Sequence, residues 1–317
     1  MSDRGGTEVT DRPAARGAPA LAIHPGALGD VLLAVPALRA LRAGAGQVVL
    51  AAQPRIGALL EVLGVIDRHV AFDSLGLDVL FTEDTARSPR LPEASRVVCW
   101  FGARDATFTR RLTSLVPGAV VARPAAAEAS VWAHLLAGAG VGSDAAWCAA
   151  IEPAEALRAL GLQTMLSAGA DGPSPWLVVH PGAGSAAKCW PAEAFARVVT
   201  QLATGTRMNV LVHQGPADGE PVAALRRHLG AGVVWLVEPG LPALAGVLAH
   251  ARAYLGNDSG VSHLAAALGV PGLVLFDARN LPWRPWWPGI GVRPVTLTET
   301  RQADVAGVLQ DMAPCLR

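Results

Sequence analysis

The stretch Val179-His180-Pro181-Gly182-Ala183 repeats, with one substitution, the earlier stretch Ile23-His24-Pro25-Gly26-Ala27. The two copies lie about half of the 317-residue chain apart, and each follows an apolar run and precedes a helical pattern. In open α/β sheets such a strand–turn–helix junction lies at the carboxyl end of a strand, where ligands bind. Chance recurrence in a chain with 34 Gly and 24 Pro residues is the alternative. We favour two similar α/β domains that face each other across a cleft.

The composition is typical of a soluble globular protein. Apolar residues make up 51% of the chain and charged residues 16%, which argues against extended disorder. A formal net charge of zero argues against a broad nucleic-acid-binding face. The spacing of the four cysteines matches neither a CxxC pair nor a metal site, so we expect reduced thiols and a cytoplasmic location.

Strand-like and helix-like segments alternate along both halves, which predicts parallel sheets with right-handed crossovers. The predicted strands are 21–24, 48–52, 69–72, 96–101, 119–122, 176–180, 208–213, 233–237, 253–256 and 272–276. The predicted helices are 30–42, 55–63, 104–115, 129–136, 191–203, 220–229, 241–249, 259–268 and 302–312, and residues 152–166 are a further candidate. Pro36 is expected to bend the first of these helices.

The predicted domain organisation has five parts: a flexible tail over 1–19, an N-terminal Rossmann-like domain over 20–150, a linker over 151–175, a C-terminal Rossmann-like domain over 176–300, and a terminal segment over 301–317. The tail is polar and of mixed charge, unlike a signal peptide. The terminal helix is a candidate to pack back toward the N-terminal domain. No apolar run reaches the roughly 20 residues that span a bilayer, so any membrane contact is expected to be peripheral.

The loop Gly26-Ala27-Leu28-Gly29-Asp30 closes the first predicted strand. Glycines let a ligand approach the backbone closely, and Asp30 follows them at the start of a helix, at the mouth of the predicted cleft. An aspartate at this position can equally be an N-cap without chemistry. The full G-x-G-x-x-G fingerprint is absent, so the loop does not indicate a dinucleotide site.

The loop Gly182-Ala183-Gly184-Ser185-Ala186-Ala187-Lys188 follows the second copy. Its backbone N–H groups, the Ser185 hydroxyl and the Lys188 ammonium suit a phosphate or pyrophosphate. It is not a Walker loop, because the Gly-Lys-Ser/Thr ending is absent. Lys188 could be a solvated surface residue, but the glycines favour anion binding.

A third segment, Gly256-Asn257-Asp258-Ser259-Gly260-Val261-Ser262-His263, opens another helix. Asp258 or Ser259 would cap that helix, and the N–H groups of Ser259 and Gly260 would point out of its N-terminus. His263 lies one turn beyond Ser259 on the same face. The segment therefore indicates a diphosphate clamp, and the alternative is a capped helix with a core histidine.

These three segments, in this order, resemble glycosyltransferase family 9, the family of ADP-heptose:lipopolysaccharide heptosyltransferases. The matching stretches are 26–42, 180–191 and 256–276, whereas residues 276–280 depart from the usual family run. The resemblance implies a GT-B fold, in which two Rossmann-like domains with parallel sheets face each other across a cleft. It also implies an inverting, metal-independent transfer without a cofactor.

The resemblance also implies roles for individual residues. Asp30 would be the catalytic general base, and Glu220 would be the acid that contacts the donor ribose, with Asp218 as an equally good occupant. The implied acceptor side holds Gly26, Gly29 and, more loosely, Arg104. The residues implied for donor binding are Gly182, Gly184, Ser185, Lys188, Asp258, Ser259, Gly260 and His263.

The substrates that the resemblance implies are a nucleotide sugar, with ADP-heptose as the first candidate, and a lipopolysaccharide-core or other lipid-linked acceptor. The expected location is the cytoplasm, and any peripheral membrane contact is expected at the inner face of the inner membrane. The alternatives are another nucleotide sugar or a non-catalytic nucleotide-sugar-binding protein. A UDP-sugar 2-epimerase would share the fold, but the first half has no second cluster of carboxylates.

The stretch Pro282-Trp283-Arg284-Pro285-Trp286-Trp287-Pro288 holds three tryptophans. We favour a buried, structural role for them. The alternative is contact with a membrane interface, where amphipathic indole rings settle.

Overall fold

The computed structural model describes residues 17–84, 86–125, 130–140, 142, 145–172 and 175–316. Residues 1–16 of the predicted tail and residues 173–174 of the predicted linker lie outside these ranges. The described chain forms two separate sheets, one in each half, and every strand pairs in parallel with its neighbours.

The first sheet has the strand order β3-β2-β1-β4-β5. Its strands are β1 (Ala20–Ile23), β2 (Val48–Ala52), β3 (Arg68–Ala71), β4 (Arg96–Cys99) and β5 (Val120–Val121). The helices of this half are α1 (Leu28–Leu33), α2 (Val35–Ala45), α3 (Pro54–Val62), α4 (Ala106–Leu115) and α5 (Val131–Gly138). The central strands β1 and β2 are buried on both faces, as expected for a parallel sheet between two helical layers.

The second sheet has the strand order β8-β7-β6-β9-β10-β11. Its strands are β6 (Trp176–His180), β7 (Asn209–Gln214), β8 (Val233–Val237), β9 (Ala251–Asn257), β10 (Gly272–Phe276) and β11 (Ile290–Pro294). The helices are α6 (Glu155–Ser167), α7 (Ala192–Thr206), α8 (Gly219–Arg226), α9 (Leu241–Leu248), α10 (Gly260–Ala267) and α11 (Gln302–Met312). This order is that of the doubly wound dinucleotide-binding fold.

Both sheets reverse their strand order next to their first strand, between β1 and β4 and between β6 and β9. Ligands of doubly wound sheets bind at such switch points, outside the carboxyl ends of the strands. The three loops that the sequence singled out follow β1, β6 and β9. The α/β fold class is therefore confirmed, and the topology directs attention to these loops.

One prediction of secondary structure is wrong, and one strand was not predicted. The sequence predicts one bent helix around Pro36, but the chain forms α1 and α2 with Ala34 between them. Pro36 lies in the first turn of α2, where its missing N–H costs no hydrogen bond. Strand β11 was not predicted, because Gly291, Arg293 and Pro294 interrupt its apolar pattern. As an edge strand β11 tolerates a proline.

The segment predicted as a linker contains α6, which packs on α9. Gly161 and Gly246 make the crossing close, since a Cβ atom added to Gly161 would lie 2.0 Å from the carbonyl carbon of Gly246. The terminal helix α11 buries Val305 and Val308 in the core that α7 forms with the second sheet. It therefore packs within its own half, not back toward the first half as expected.

None of the helices in the described ranges has the length and hydrophobicity needed to cross a membrane.

Candidate functional site

A cavity of about 400 Å³ lies between the two halves, at the carboxyl ends of both sheets. The first half contributes Ala27, Leu28 and Gly29 at the start of α1, and Arg55 at the start of α3. The second half contributes the ends of β6 and β7 and the N-termini of α9 and α10. Arg55 is the only lysine or arginine among the described residues that line the cavity. The sequence does not point to Arg55, because a lone arginine after a strand carries no motif.

The loop after β1 places Asp30 in the first turn of α1, three residues after the N-cap Ala27. The Asp30 carboxylate accepts a hydrogen bond from the Ala27 backbone N–H at 3.2 Å. Asp30 is therefore not the N-cap itself, although it stabilises the same helix end. A Cβ atom added to Gly26 would lie 2.7 Å from the His24 ring and 2.9 Å from Asp30 Cβ. Only glycine fits at that position.

Glycines also allow α1 and α10 to meet across the cleft. A Cβ atom on Gly29 would lie 2.9 Å from His263 Cδ2, and one on Gly260 would lie 3.0 Å from Leu28 Cβ. This contact brings Asp30 into electrostatic range of His263. The predicted acceptor-side loop and the predicted diphosphate clamp are thus brought together.

Burial lowers the pKa of His263 to about 4, although the nearby charges of Asp258 and Asp30 act in the opposite direction. His263 is 5% exposed. Its imidazole is therefore neutral at neutral pH, and it can offer a hydrogen bond but no full positive charge.

Asp258 is a buried acid whose charge is met by Lys188. The Lys188 ammonium lies 2.8 Å from Asp258 Oδ2, and the Asn280 amide donates to the same oxygen at 3.5 Å. His263 Nε2 lies 4.0 Å from Asp258 Oδ1. Lys188 is therefore held beside the N-terminus of α10 rather than on the cavity wall.

Ser259 is the N-cap of α10, and its Oγ accepts a hydrogen bond from the Ser262 backbone N–H. Ser259 and Gly260 line the cavity, as does Gly184, whereas Ser185 is exposed outside it. The helix N-terminus and the Gly184 loop thus form one wall that offers hydrogen-bond donors to an anion.

Asn257 joins the two loops of the second half, a role that the sequence analysis did not assign. Its amide donates to the Pro181 carbonyl at 2.8 Å and accepts from the Trp190 backbone N–H at 3.1 Å. Asn257 is completely buried. Its signal in the sequence is a polar residue at the end of an apolar strand, next to a motif.

His180, His213 and Asp218 form a polar cluster on another part of the cavity wall. The Nδ1 atoms of the two histidines are 3.0 Å apart, and His180 Nε2 lies 3.9 Å from Asp218 Oδ2. Burial lowers the pKa of both imidazoles. No motif in the sequence gives either histidine a role, although each stands at or near the carboxyl end of a predicted strand.

The structure separates the two acids proposed for the ribose. Asp218 is 7% exposed, lines the cavity and accepts the Gly215 N–H at 2.8 Å. A Cβ atom on Gly182 would lie 2.0 Å from Asp218 Oδ1, so this glycine makes room for the acid. Glu220 is exposed and lines a neighbouring cavity of about 210 Å³ instead. The geometry favours Asp218 as the acid at the cleft.

Arg104 lies in a third cavity of about 240 Å³, in the first half beyond β4 and β5. Trp100, Phe101 and Arg123 also line it. Exposed cations next to aromatic rings suit a glycan with acidic groups.

The tryptophan-rich segment has mainly a structural role. Trp286 is 5% exposed, its indole N–H donates to the Leu32 carbonyl at 2.8 Å, and the Arg39 guanidinium lies over its ring. Trp286 therefore ties the second half to the first. Trp287 is half-buried, and Trp283 is 36% exposed.

The sequence profile of glycosyltransferase family 9 (heptosyltransferase) matches residues 142–303, just over half of the chain. The chain belongs to glycosyltransferase family 9. The matched range contains the second and third of the loops described above, including Lys188 and Asp258.

Among curated relatives, lipopolysaccharide heptosyltransferase 3 of Escherichia coli is 32% identical over 127 residues. The alignment covers 35% of this chain and 34% of that relative, so the chain spans about a third of the relative's length.

Solved structures show the same fold over nearly the whole chain. The glycosyl transferase family 9 structure from Veillonella parvula DSM 2008 has a TM-score of 0.73 at 18% identity, covering 94% of this chain and 97% of that one. The E. coli ADP-heptose lps heptosyltransferase II has a TM-score of 0.69 at 19% identity, covering 94% and 98%. The GT-B arrangement implied by the resemblance is confirmed.

Proposed function

We propose that this family 9 protein is an inverting glycosyltransferase that moves a sugar from a nucleotide sugar to a glycan acceptor. The observation that carries the proposal is the meeting of Asp30, from the first half, with the N-terminus of α10 and His263, from the second half. A base and an anion site on opposite sides of one cleft are what such a transfer requires.

The proposed donor lies in the 400 Å³ cavity with its diphosphate against Gly184, Ser259 and Gly260. Helix-terminal N–H groups stabilise the negative charge of a diphosphate. Lys188 adds positive charge beside them, and Arg55 adds it from the opposite wall. In this orientation the nucleobase of the donor lies near residues 239–241, where the cavity is apolar.

In the proposed reaction, the acceptor hydroxyl oxygen attacks the anomeric carbon from the face opposite the diphosphate. The bond between that carbon and the phosphate oxygen breaks, and the nucleoside diphosphate leaves with the electron pair. Asp30 takes the hydroxyl proton late in the transfer. The N–H groups of α10, together with Lys188 and neutral His263, stabilise the leaving diphosphate.

We propose ADP-heptose as the donor and a lipopolysaccharide-core or other lipid-linked glycan as the acceptor, in line with the names of the relatives. The acceptor would approach Asp30 along Gly26 and Gly29, with Arg104 available to an acidic group. We place the protein in the cytoplasm, with peripheral contact to the inner face of the inner membrane.

We further propose that the transfer needs no metal and no cofactor. The described ranges contain no group of three or more His, Cys, Asp or Glu side chains arranged to hold a metal ion. Protein cations and helix N–H groups supply the charge stabilisation that a metal would otherwise provide. Transfer should survive excess EDTA, and loss of activity that Mg²⁺ or Mn²⁺ restores would contradict this part of the proposal.

The proposal is tested by calorimetric titration with ADP, UDP, GDP and CDP, followed by a transfer assay with ADP-heptose. Preferential binding of ADP and release of ADP in the presence of a lipopolysaccharide-core acceptor would support it. Preference for another diphosphate would identify another nucleotide-sugar donor. Diphosphate binding without transfer to any core acceptor would favour a non-catalytic nucleotide-sugar-binding protein.

A further inference from the structure

The histidine pair on the cavity wall constrains where its protons lie. His180 Nδ1 and His213 Nδ1 are 3.0 Å apart, so one of them carries a proton and the other accepts it. His180 is 2% exposed and His213 is 3% exposed. Burial lowers the pKa of both, and the proximity of His180 lowers that of His213 further. Both rings are therefore neutral at neutral pH.

Asp218 decides the direction of the hydrogen bond within the pair. Its Oδ2 lies 3.9 Å from His180 Nε2 and also accepts the Gly215 N–H. A proton on His180 Nε2 is attracted by that carboxylate, whereas a lone pair there would be repelled. The opposite tautomer would gain only a long contact from His180 Nδ1 to the His213 carbonyl, at 3.4 Å. His180 is therefore protonated at Nε2, and His213 donates from Nδ1.

This assignment leaves a lone pair on His213 Nε2, and that atom is open to the cavity. It has no hydrogen-bond partner in the described part of the chain. Among the described residues, the ring nitrogens that are fully enclosed and unpartnered are those of His24, Trp100 and Trp190, and His213 Nε2 is not one of them. His213 itself lines the cavity.

His213 and Asp218 stand beside the same glycine. A Cβ atom added to Gly215 would lie 2.7 Å from Asp218 Oδ2 and 3.7 Å from His213 Cε1. This part of the wall thus presents two neighbouring hydrogen-bond acceptors. Acceptors repel phosphate oxygens and attract hydroxyl groups, so the wall is polarised opposite to the N–H groups of Gly184 and Gly260.

We propose that His213 is a specificity-determining residue whose Nε2 accepts a hydrogen bond from a ribose hydroxyl of the donor nucleotide, next to the Asp218 carboxylate. This inference rests on the proposed function and adds a residue and a direction to it. Two acceptors match the two hydroxyls of a ribose, and they exclude the reversed orientation of the nucleotide. His180 acts as a positioning residue, because it fixes the His213 tautomer.

The test measures the binding of ADP, 2′-deoxy-ADP and 3′-deoxy-ADP by calorimetry at pH 7.5. With the parent protein, removal of the ribose hydroxyl that donates to His213 should weaken binding roughly 5- to 10-fold. His213→Asn keeps an amide donor for His180 but has no acceptor in place of Nε2. In this variant ADP should bind as weakly as the deoxy analogue that lacks this hydroxyl. The variant should therefore no longer discriminate between ADP and that analogue.

Two further variants keep the result interpretable. His213→Gln places an amide oxygen near the position of Nε2 and should restore part of the discrimination. His228→Leu changes an exposed histidine outside the cavity and should leave it unchanged. Thermal unfolding of each variant shows whether it is folded.

The outcomes separate this inference from the proposed function. If the parent binds ADP and His213→Asn discriminates against both deoxy analogues as strongly as the parent, His213 does not contact the ribose, and the proposed transferase is unaffected. If the parent does not bind ADP at all, the proposed donor is wrong, and this inference falls with it.

Discussion

Two aspartates near the cleft differ in their surroundings, and this difference determines what each can do. Asp258 is 6% exposed and is paired with the Lys188 ammonium. Asp30 is partly exposed and accepts a hydrogen bond from the Ala27 backbone N–H. Because the Lys188 ammonium already occupies the Asp258 carboxylate, we propose Asp30 and not Asp258 as the general base.

Replacing Asp30 separates catalysis from structure. Asp30→Asn keeps an oxygen that can accept the Ala27 N–H, so stability and ADP affinity should change little. Transfer should fall by roughly 10²- to 10⁴-fold, the usual cost of losing a general base. Turnover, calorimetric titration and thermal unfolding on one preparation test this. Turnover close to that of the parent would remove Asp30 from the mechanism.

Lys188 is the only lysine in a chain that contains 25 arginines. An ammonium is a compact charge that fits beside Asp258, whereas a guanidinium is larger and planar. Lys188→Ala should weaken ADP binding by about 1.5–3 kcal/mol, the range for hydrogen bonds to charged groups. Adenosine should bind the variant as it binds the parent, and Lys188→Arg should not restore the affinity for ADP.

The single lysine also permits a direct labelling experiment. An amine-directed acylating reagent can modify only the Lys188 side chain and the chain's N-terminal amine. ADP should slow acylation of Lys188 without affecting the N-terminal amine, which serves as the internal control. Equal rates of Lys188 acylation with and without saturating ADP would show that Lys188 does not meet the diphosphate.

At the scale of elements, glycines set how closely helices cross. Gly161 of α6 faces the backbone of Gly246 in α9, and Gly29 of α1 faces α10. The first crossing packs the predicted linker onto the second half, and the second brings the two halves together at the site. These glycines are therefore required by packing rather than by backbone conformation.

Adding one methyl group at the α6–α9 crossing should be costly. Gly161→Ala places a Cβ atom 2.0 Å from a backbone carbon, so the helices must separate. We expect the free energy of unfolding, measured by urea denaturation, to fall by about 1–3 kcal/mol. Gly205→Ala in α7 is the matched control, because its Cβ would meet nothing within 4 Å. That control should stabilise the protein by about 0.5–1 kcal/mol. Equal effects of the two changes would contradict the crossing.

At the scale of the whole molecule, buried neutral histidines couple stability to pH. Burial lowers the pKa of both His24 and His263 to about 4, compared with about 6.5 in an unfolded chain. Below pH 6.5 the unfolded chain binds protons that the folded protein does not. The contribution of the two neutral histidines to the free energy of unfolding is therefore at its maximum above pH 6.5, and it is lost as the pH falls toward 4.

Each of these histidines should remove about 2 kcal/mol of stability between pH 7 and pH 5. Urea denaturation at the two pH values measures the difference for the parent. His263→Gln cannot be protonated, so the difference between pH 7 and pH 5 should shrink by about 2 kcal/mol in this variant. An unchanged difference would mean that His263 is not held neutral by burial.

Much of the fold follows from the sequence alone. Alternating apolar and helical segments predict two parallel sheets, because a buried parallel strand and an amphipathic helix each have a local pattern. The repeated His-Pro-Gly phrase marks the carboxyl ends of β1 and β6. The local pattern does not show that a new helix begins at Val35, next to Pro36. It also does not show that Ile290–Pro294 forms an edge strand, because pairing with β10 decides that.

The sequence by itself determined the family and the three loops, because motifs are contiguous and their spacing is local information. Only the tertiary structure decided which side chains share the cavity: Asp218 rather than Glu220, Arg55 from the opposite half, and His180 paired with His213. It also placed Lys188 on Asp258, 70 residues away in sequence. These contacts join residues on different strands and helices, and strand order and helix crossing bring them together.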